Sequence, residues 1–491
     1  MTEDGARDVW SYGRLKDASD GLAASLRARG VVRGDRVAVL LAQCPEVMVV
    51  HMAVYKLGAV ILPLFTLFGE DALRYRLEDS GAVAVVTDAP NLPKVMDLRA
   101  GLPALREVYS LDPAAAPVRH VEAEVAAARG FIPVDTAAED PAVLIYTSGT
   151  TGDPKGVLHA HRFLIGHLPS LETTHPGFGA PGDIGWTPAD WAWIGGLMDM
   201  AMTSLYYGVP LVSQRMRKFD PGAAFRLIRD EGITRLFLPP TALKLMRQAD
   251  VPRGLGVRSI TSGGESLGAD ILNWGVEALG APINEIYGQT ECNICVGTAQ
   301  GLMEVRPGAM GKATPGHRIV ILDSDGQEAP RGEVGEIAVA RPDPIMFLRY
   351  WNKPDKTAEK FTGDWMRTGD LGVMDADGYI TYVSRDDDVI TSAGYRIGPT
   401  EIENCLCGHP DVVMAACIGV PDPVRTEIVK AVVVLREGAV WDGLPEALIE
   451  RVRARVSPHV APRIVERADS LPMTATGKIM RRALRDDASG G

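Results

Sequence analysis

Short apolar runs alternate with amphipathic helical stretches through the first third of the chain, and this alternation restricts its fold more than any other feature. Leu15, Ala18, Leu22, Ala23 and Leu26 recur at helical spacing, with Gly30 as the stop. Residues 36–41 read as a buried strand after the Gly34-Asp35 turn, 46–57 as a second helix and 82–86 as a second strand. Strands separated by helices pair in parallel, because each crossover returns the chain to the same end of the sheet. Further strands are expected at 142–146, 233–238 and 257–260. Around 319–322, 335–339 and 379–383 the helices thin out and Gly/Asp turns dominate, which predicts an antiparallel β region. The last hundred residues return to an α/β pattern, with helices at 401–407 and 445–456 and a strand at 429–435. The expected class is α/β. A large N-terminal domain of α/β subdomains plus a β-rich subdomain occupies 1–384, and a small C-terminal α/β domain occupies 385–491, divided at the polarity peak 384–388. The terminal DDASGG is expected to fray.

Composition narrows the function classes. Of the 491 residues 46% are hydrophobic and 23% charged, an ordinary globular balance. The net charge of −12 lacks the basic footprint that general nucleic-acid binding requires. The longest apolar stretch is interrupted by Lys56, Gly58 and Pro63, so no membrane span is expected. Glu3, Asp4 and Asp8 precede no apolar segment, which argues against a secretory signal. Six cysteines make no disulfide framework, and the Cys292/Cys295 pair lacks the partners of a zinc site. A reducing cytoplasm fits.

The chemistry is concentrated in residues 146–161, YTSGTTGDPKGVLHAH. An apolar strand feeds a loop in which Gly149, Gly152 and Gly156 let the backbone approach an anion. Thr147, Ser148, Thr150 and Thr151 offer hydroxyl donors and Lys155 adds charge. The loop is not a P-loop, since Lys155 follows Pro154 and precedes Gly156. His159 and His161 beside it read as packing or helix-start residues.

This loop resembles that of the adenylate-forming superfamily, which comprises acyl-CoA synthetases, luciferases and peptide-synthetase adenylation domains. In that family it holds the β- and γ-phosphates of ATP. The remaining family motifs follow in order, and the resemblance covers about residues 10–485. SGGESLG at 262–268 implies that Gly263, Gly264 and Glu265 line the adenine slot. EIYGQTE at 285–291 implies ATP contacts from Glu285, Tyr287, Gly288, Gln289 and Thr290, with Glu291 as the magnesium ligand. A carboxylate beside a triphosphate makes sense only with a cation between them. Asp370 of TGD and Arg385 of RDDD would hold the ribose, and Asp387 falls where the family has its hinge. Lys478 of TATGKIMRR would bridge the acyl carboxylate and the α-phosphate. The catalytic set implied is Lys478, Thr290 and Glu291, and the implied cofactors are ATP, Mg2+ and CoA.

Residues 391–403, TSAGYRIGPTEIE, resemble the medium-chain acyl-CoA synthetases, in which Ala393, Gly394, Tyr395 and Arg396 would flank the CoA path and Arg425 would help bind CoA. Family members usually carry some tens of residues before the first helix and this chain has nine, so a lateral element and any homodimer surface there are expected to differ. Ser384 replaces a frequent glycine.

Acetyl-CoA synthetases close the acyl pocket with a Trp at the position of Gly288. Gly288, with Gly195 and Gly263, therefore predicts room for several methylenes, walled by Trp191, Trp193 and Ile194. The reading is an AMP-forming carboxylate–CoA ligase for a medium-chain, branched or aromatic acid, with the acid, ATP and CoA as small-molecule partners, no nucleic acid or integral membrane contact, and a possible homodimer. The alternatives are a carrier-loading adenylation enzyme, a non-catalytic adenylate-binding protein and a luciferase-like oxygenase.

Overall fold

Ser11 starts the first helix, Tyr12–Ala28, by accepting a hydrogen bond from the Arg14 amide, and the apolar stripe of that helix buries Leu22, Ala23 and Leu26 completely. The computed structural model describes residues 7–489 except 129, 148–152, 217, 266, 307, 386–387, 393–394, 424 and 475–476. Strands Val60–Pro63, Arg36–Leu40, Ala84–Thr87, Glu107–Ser110 and Arg119–His120 line up in that order as parallel neighbours, with Pro141–Thr147 joining Val60–Pro63. Lys155–Ala160 and Arg349–Tyr350 finish this eight-stranded sheet in antiparallel fashion.

A second, six-stranded sheet follows. Gly185–Trp186, Arg235–Phe237, Ser259–Gly263 and Ile283–Gln289 pair in parallel, and Cys292–Gly297 and Lys312–Ala313 return antiparallel. The β-rich part is an antiparallel sheet of Ile319–Leu322, Val334–Ala340, Trp365–Met374, Phe361–Thr362 and Ile380–Arg385. One core runs through these layers, from Leu22 and Val143 through Leu197 and Val296 to Ile337 and Met366. The last sheet, built on the hairpin Val412–Asp422 and Thr426–Leu435, has a core of its own around Ile402, Leu406, Cys417, Val433 and Leu448. It forms a small C-terminal lobe beside the large N-terminal one.

Two expectations need correction. The strand expected at 257–260 lies at Ser259–Gly263, because it pairs with Ile283–Gln289 through Gly263 opposite Ile286. The expected fraying at 486–489 is not found. Helix Arg481–Ser489 includes those residues, and it is anchored where Arg481 binds Glu403 and Asp388 and Arg485 binds Asp388. Among the described residues no helix is long and apolar enough to cross a membrane.

Candidate active site

Parallel strands place their carboxyl ends along one edge of a sheet, where α/β proteins build sites. Three motifs sit at such ends, because Thr147, Gly263 and Gln289 each close a parallel strand. Thr147 pairs with Lys155 across the expected ATP loop, whose Ser148, Gly149, Thr150, Thr151 and Gly152 lie outside the described residues. The Lys155 amine lies 4.8 Å from the centre of the Tyr350 ring. Burial lowers its pKa, while Glu291 opposes the shift.

Glu291 is buried and accepts a hydrogen bond from the Tyr350 hydroxyl through Oε1. Burial pushes its carboxyl up, but Lys360, Tyr350 and Lys155 outweigh that and hold it below the ordinary value. An ionised carboxylate beside a lysine at the mouth of an anion loop has the donor chemistry that suits Mg2+. The preceding residue is fixed from behind. Burial drops the His159 pKa to about 4, so its neutral ring donates from Nε2 to the Thr290 carbonyl at 2.7 Å. His159 also stacks on Phe163 at 4.1 Å, while His161 precedes helix Arg162–Thr174 at its N-cap position without a side-chain cap bond.

Asp370 stands opposite Arg385 in antiparallel register. Its Oδ2 accepts from the Tyr287 hydroxyl and from Gln289 Nε2, both at 2.7 Å. Burial raises the Asp370 pKa against the pull of Arg385, Tyr287 and Gln289. Lys360 adds a bond to Gln289 Oε1 at 3.1 Å. The Asp370 carboxylate is thus held by donors from two neighbouring strand residues, Tyr287 and Gln289. Glu285 lies two residues before Tyr287 on the same strand. Its Oε1 accepts from the Leu267 amide at 3.3 Å, which ties the glycine loop of residues 262–268 to its neighbouring strand.

Lys478 belongs to the small lobe and enters the same cleft. Gly264 has φ 103°, a value open to glycine, and a Cβ built there would stand 3.4 Å from Lys478 Cε and 3.5 Å from the Trp193 ring. Next to Lys478, the Ile479 amide donates to Glu265 Oε1 at 3.1 Å, so the lobe is latched onto the glycine loop. Desolvation in the cleft lowers the Lys478 pKa, with Asp370, Glu265 and Glu291 opposing.

Lys478 also lines a cavity of about 30 Å³ with Gly263, Gly264, Gly288, Gln289, Thr290 and, farther in, Trp193, Ile194, Phe237, Ile286 and Ile294. That volume admits little more than water. The expected room for several methylenes is therefore absent in this conformation, and the three glycines explain why. A Cβ on Gly288 would come 2.6 Å from the Ile294 nitrogen, on Gly263 2.5 Å from the Ile286 oxygen, and on Gly195 2.9 Å from Phe237. Each is small because backbone or an aromatic ring presses on it, and the Trp193 indole occupies the space in front. Trp191 is not among the residues that line this cavity and is buried in the main core. A wider groove of about 1090 Å³ beside Arg162, Arg341 and Phe361 shares no lining residue with this cleft.

The family models match this arrangement: AMP-binding enzyme over residues 3–351 and AMP-binding enzyme C-terminal domain over 401–478. The chain belongs to the AMP-binding enzymes. It is 35% identical to human mitochondrial acyl-coenzyme A synthetase ACSM4, covering 97% of this chain and 84% of the relative. It is 33% identical to acetyl-coenzyme A synthetase of Bacillus subtilis, covering 98% and 86%. The anthranilate CoA ligase AuaEII, solved with anthranoyl-AMP, superposes with a TM-score of 0.92 at 26% identity, covering 100% of this chain and 93% of that one. The enzyme is accordingly an AMP-forming acyl-CoA synthetase, an acid–thiol ligase that uses ATP, Mg2+ and CoA.

Not every expected residue gathers at the synthetase's cleft. Asp387, Ala393 and Gly394 lie outside the described residues, as do the side chains of Tyr395 and Arg396. Arg425 sits at the tip of the small lobe's long hairpin, where its amide bonds Asp422 at 2.8 Å, and none of its described contacts reaches Lys478. Sequence reasoning missed Tyr350 and Lys360, which approach Glu291 from the far end of the large lobe, and the buried trio of Asp199, His167 and Asn293 beside the cavity. Their motifs carry no spacing signal, since the four segments meet only through the fold.

Proposed function

We propose that the synthetase activates a medium-chain, branched or aromatic carboxylic acid in preference to acetate. The observation that carries this reading is the apolar and aromatic lining that Trp193, Phe237, Ile194, Ile286 and Ile294 give to the cavity Lys478 also lines. Turning Trp193 aside opens the space that acetate would not need. The named activity of the anthranilate ligase points the same way, whereas that of the Bacillus relative points to acetate.

In the first half-reaction the carboxylate oxygen attacks the α-phosphorus of ATP and pyrophosphate leaves. Lys478 would meet the acid and the α-phosphate with its ammonium, and Thr290, whose carbonyl is bonded by His159, would act beside it, since both line the cavity. Lys155 and the loop of Ser148 to Gly152 would bind the β- and γ-phosphates, and Asp370 and Arg385 the ribose. Glu291 would hold Mg2+, which supplies charge neutralisation at the phosphates. The contribution of these groups is positioning and charge stabilisation. In the second half-reaction the CoA thiol attacks the acyl carbon and AMP leaves. The small lobe, taken as 385–491, turns about Asp387 between the two so that Gly394 replaces Lys478, with Arg425 on CoA. Six free thiols fit a reducing cytoplasm.

A panel of acids scored for AMP release with and without CoA tests the reading. Medium-chain or aromatic acids are expected to give the highest kcat/KM. Acetate at the top would refute it.

A further inference from the structure

Asp199 is one of the residues that line the cavity and is only 2% exposed. A carboxylate is an unfavourable group to bury beside Phe237 and Ile294, and a fatty chain would gain nothing from it. Its Oδ1 is fully used. His167 Nε2 bonds it at 2.9 Å and Asn293 Nδ2 at 2.5 Å, and both partners are themselves buried. Oδ2 has no hydrogen-bond partner among the described residues. The carboxylate is thus held rigidly from behind with one acceptor left over on the side of the cavity. The backbone around it is unusual on both sides. Asp199 lies in a π-helical turn, Leu197–Met202, a geometry that re-aims side chains and recurs at functional sites. Asn293 precedes Ile294, a β-branched residue at φ 33°, where backbone strain is held by its surroundings.

We infer that Asp199 receives a hydrogen-bond donor carried by the acid away from its carboxylate, so that the substrate class is a hydroxy- or amino-substituted aromatic carboxylic acid. The inference rests on reading this cavity as the acyl site. Trp193 and Phe237 pack on each other with ring centres 5.5 Å apart and planes tilted by 48°, so an indole turned aside would leave the Phe237 face open to a substrate ring. His167 and Asn293 are positioning residues, because they fix Asp199 without lying between it and the ring.

The test compares benzoates carrying a hydroxyl, an amino or a methyl group at each ring position, together with straight-chain acids from hexanoate to decanoate. The readout is CoA-dependent AMP release by the wild type and by Asp199→Asn. At one ring position the donor-bearing acid is expected to exceed its methyl counterpart in kcat/KM by at least about tenfold, the scale of a hydrogen bond to a charged group. Asp199→Asn keeps an oxygen for His167 and Asn293 but turns an NH2 towards the ring. It should erase that preference and favour an acceptor such as a methoxy group at the same position. Each ratio is taken within one preparation, so partial misfolding cancels, and a purely structural role for Asp199 would leave the ratios unmoved. Methyl acids equal to donor acids at every position, or a ratio unchanged in Asp199→Asn, would overturn the inference. Straight-chain acids turning over while every ring acid is silent would overturn it too and leave the acyl-site reading standing. No release from any acid would sink that reading as well.

Discussion

Glu285 makes the fold's stability depend on pH in a direction opposite to that of a salt-bridged acid. Burial pushes its carboxyl from the ordinary 4.5 up to about 7, with only the Leu267 amide pulling against it. The folded protein therefore keeps a proton that the unfolded chain has already released. The stabilisation is fully present below pH 4.5, falls as pH rises, and is gone above about 7. At 1.36 kcal/mol per pH unit the whole window is worth about 3 kcal/mol, of which roughly 2.5 falls between pH 5 and pH 8. Glu285→Gln removes the titration and keeps an oxygen for Leu267. The measurement is urea unfolding of both proteins at pH 5 and pH 8, following the large lobe's transition, because two lobes with separate cores need not melt together. The wild type should lose about 2.5 kcal/mol relative to the variant on going to pH 8. Because Glu285 braces the glycine loop, the wild type's KM for ATP should also rise over the same interval and the variant's should not. Equal pH dependence in the two proteins would refute the reasoning and mean that water reaches the carboxylate.

Lys478→Ala should lower adenylate formation by about 10²–10³-fold, the loss typical of one charge-stabilising donor, and largely spare thioester formation from preformed acyl-AMP. Pyrophosphate exchange and single-turnover transfer separate the two steps. In the wild type the first step should fail on the alkaline side before an ordinary lysine would, since desolvation lowers this amine's pKa. Trp193→Ala should move the acyl optimum to larger acids, each added methylene gaining about fourfold in kcat/KM at ~0.8 kcal/mol of burial. An unchanged optimum across hexanoate to decanoate would place the indole outside the acyl path.

Much of the scaffold was legible because strand and helix periods differ so sharply. The first strand and second helix lie within one residue of where apolar spacing puts them, the first helix contains the expected stripe and begins three residues before it, and Ile319–Leu322 lies where expected. What periodicity could not tell was which strands share a sheet. Pro141–Thr147 joins the first sheet and Gly185–Trp186 opens the second, a choice made by packing between distant segments. The site followed the same division. Residues in contiguous motifs, such as Gly264, Asp370 and Lys478, could be picked out in advance. Tyr350, Lys360 and Asp199 could not, because each reaches the cleft from a stretch whose composition says nothing about its neighbours. The acyl pocket was misjudged for a related reason. A glycine in a sequence suggests vacancy, yet Gly288 is small because the Ile294 nitrogen lies where its Cβ would be.

Glu265 sits in the loop expected to read the nucleotide base and also receives the Ile479 amide from the other lobe. One carboxylate thus reports on two events. Whatever firms up that loop must by reciprocity tighten the lobe's grip by the same free energy, and a lobe that has let go must weaken the loop's hold on its ligand. The swing that admits the thiol would then also start to loosen AMP, so that the departing product is released by the same stroke that brings in its displacer.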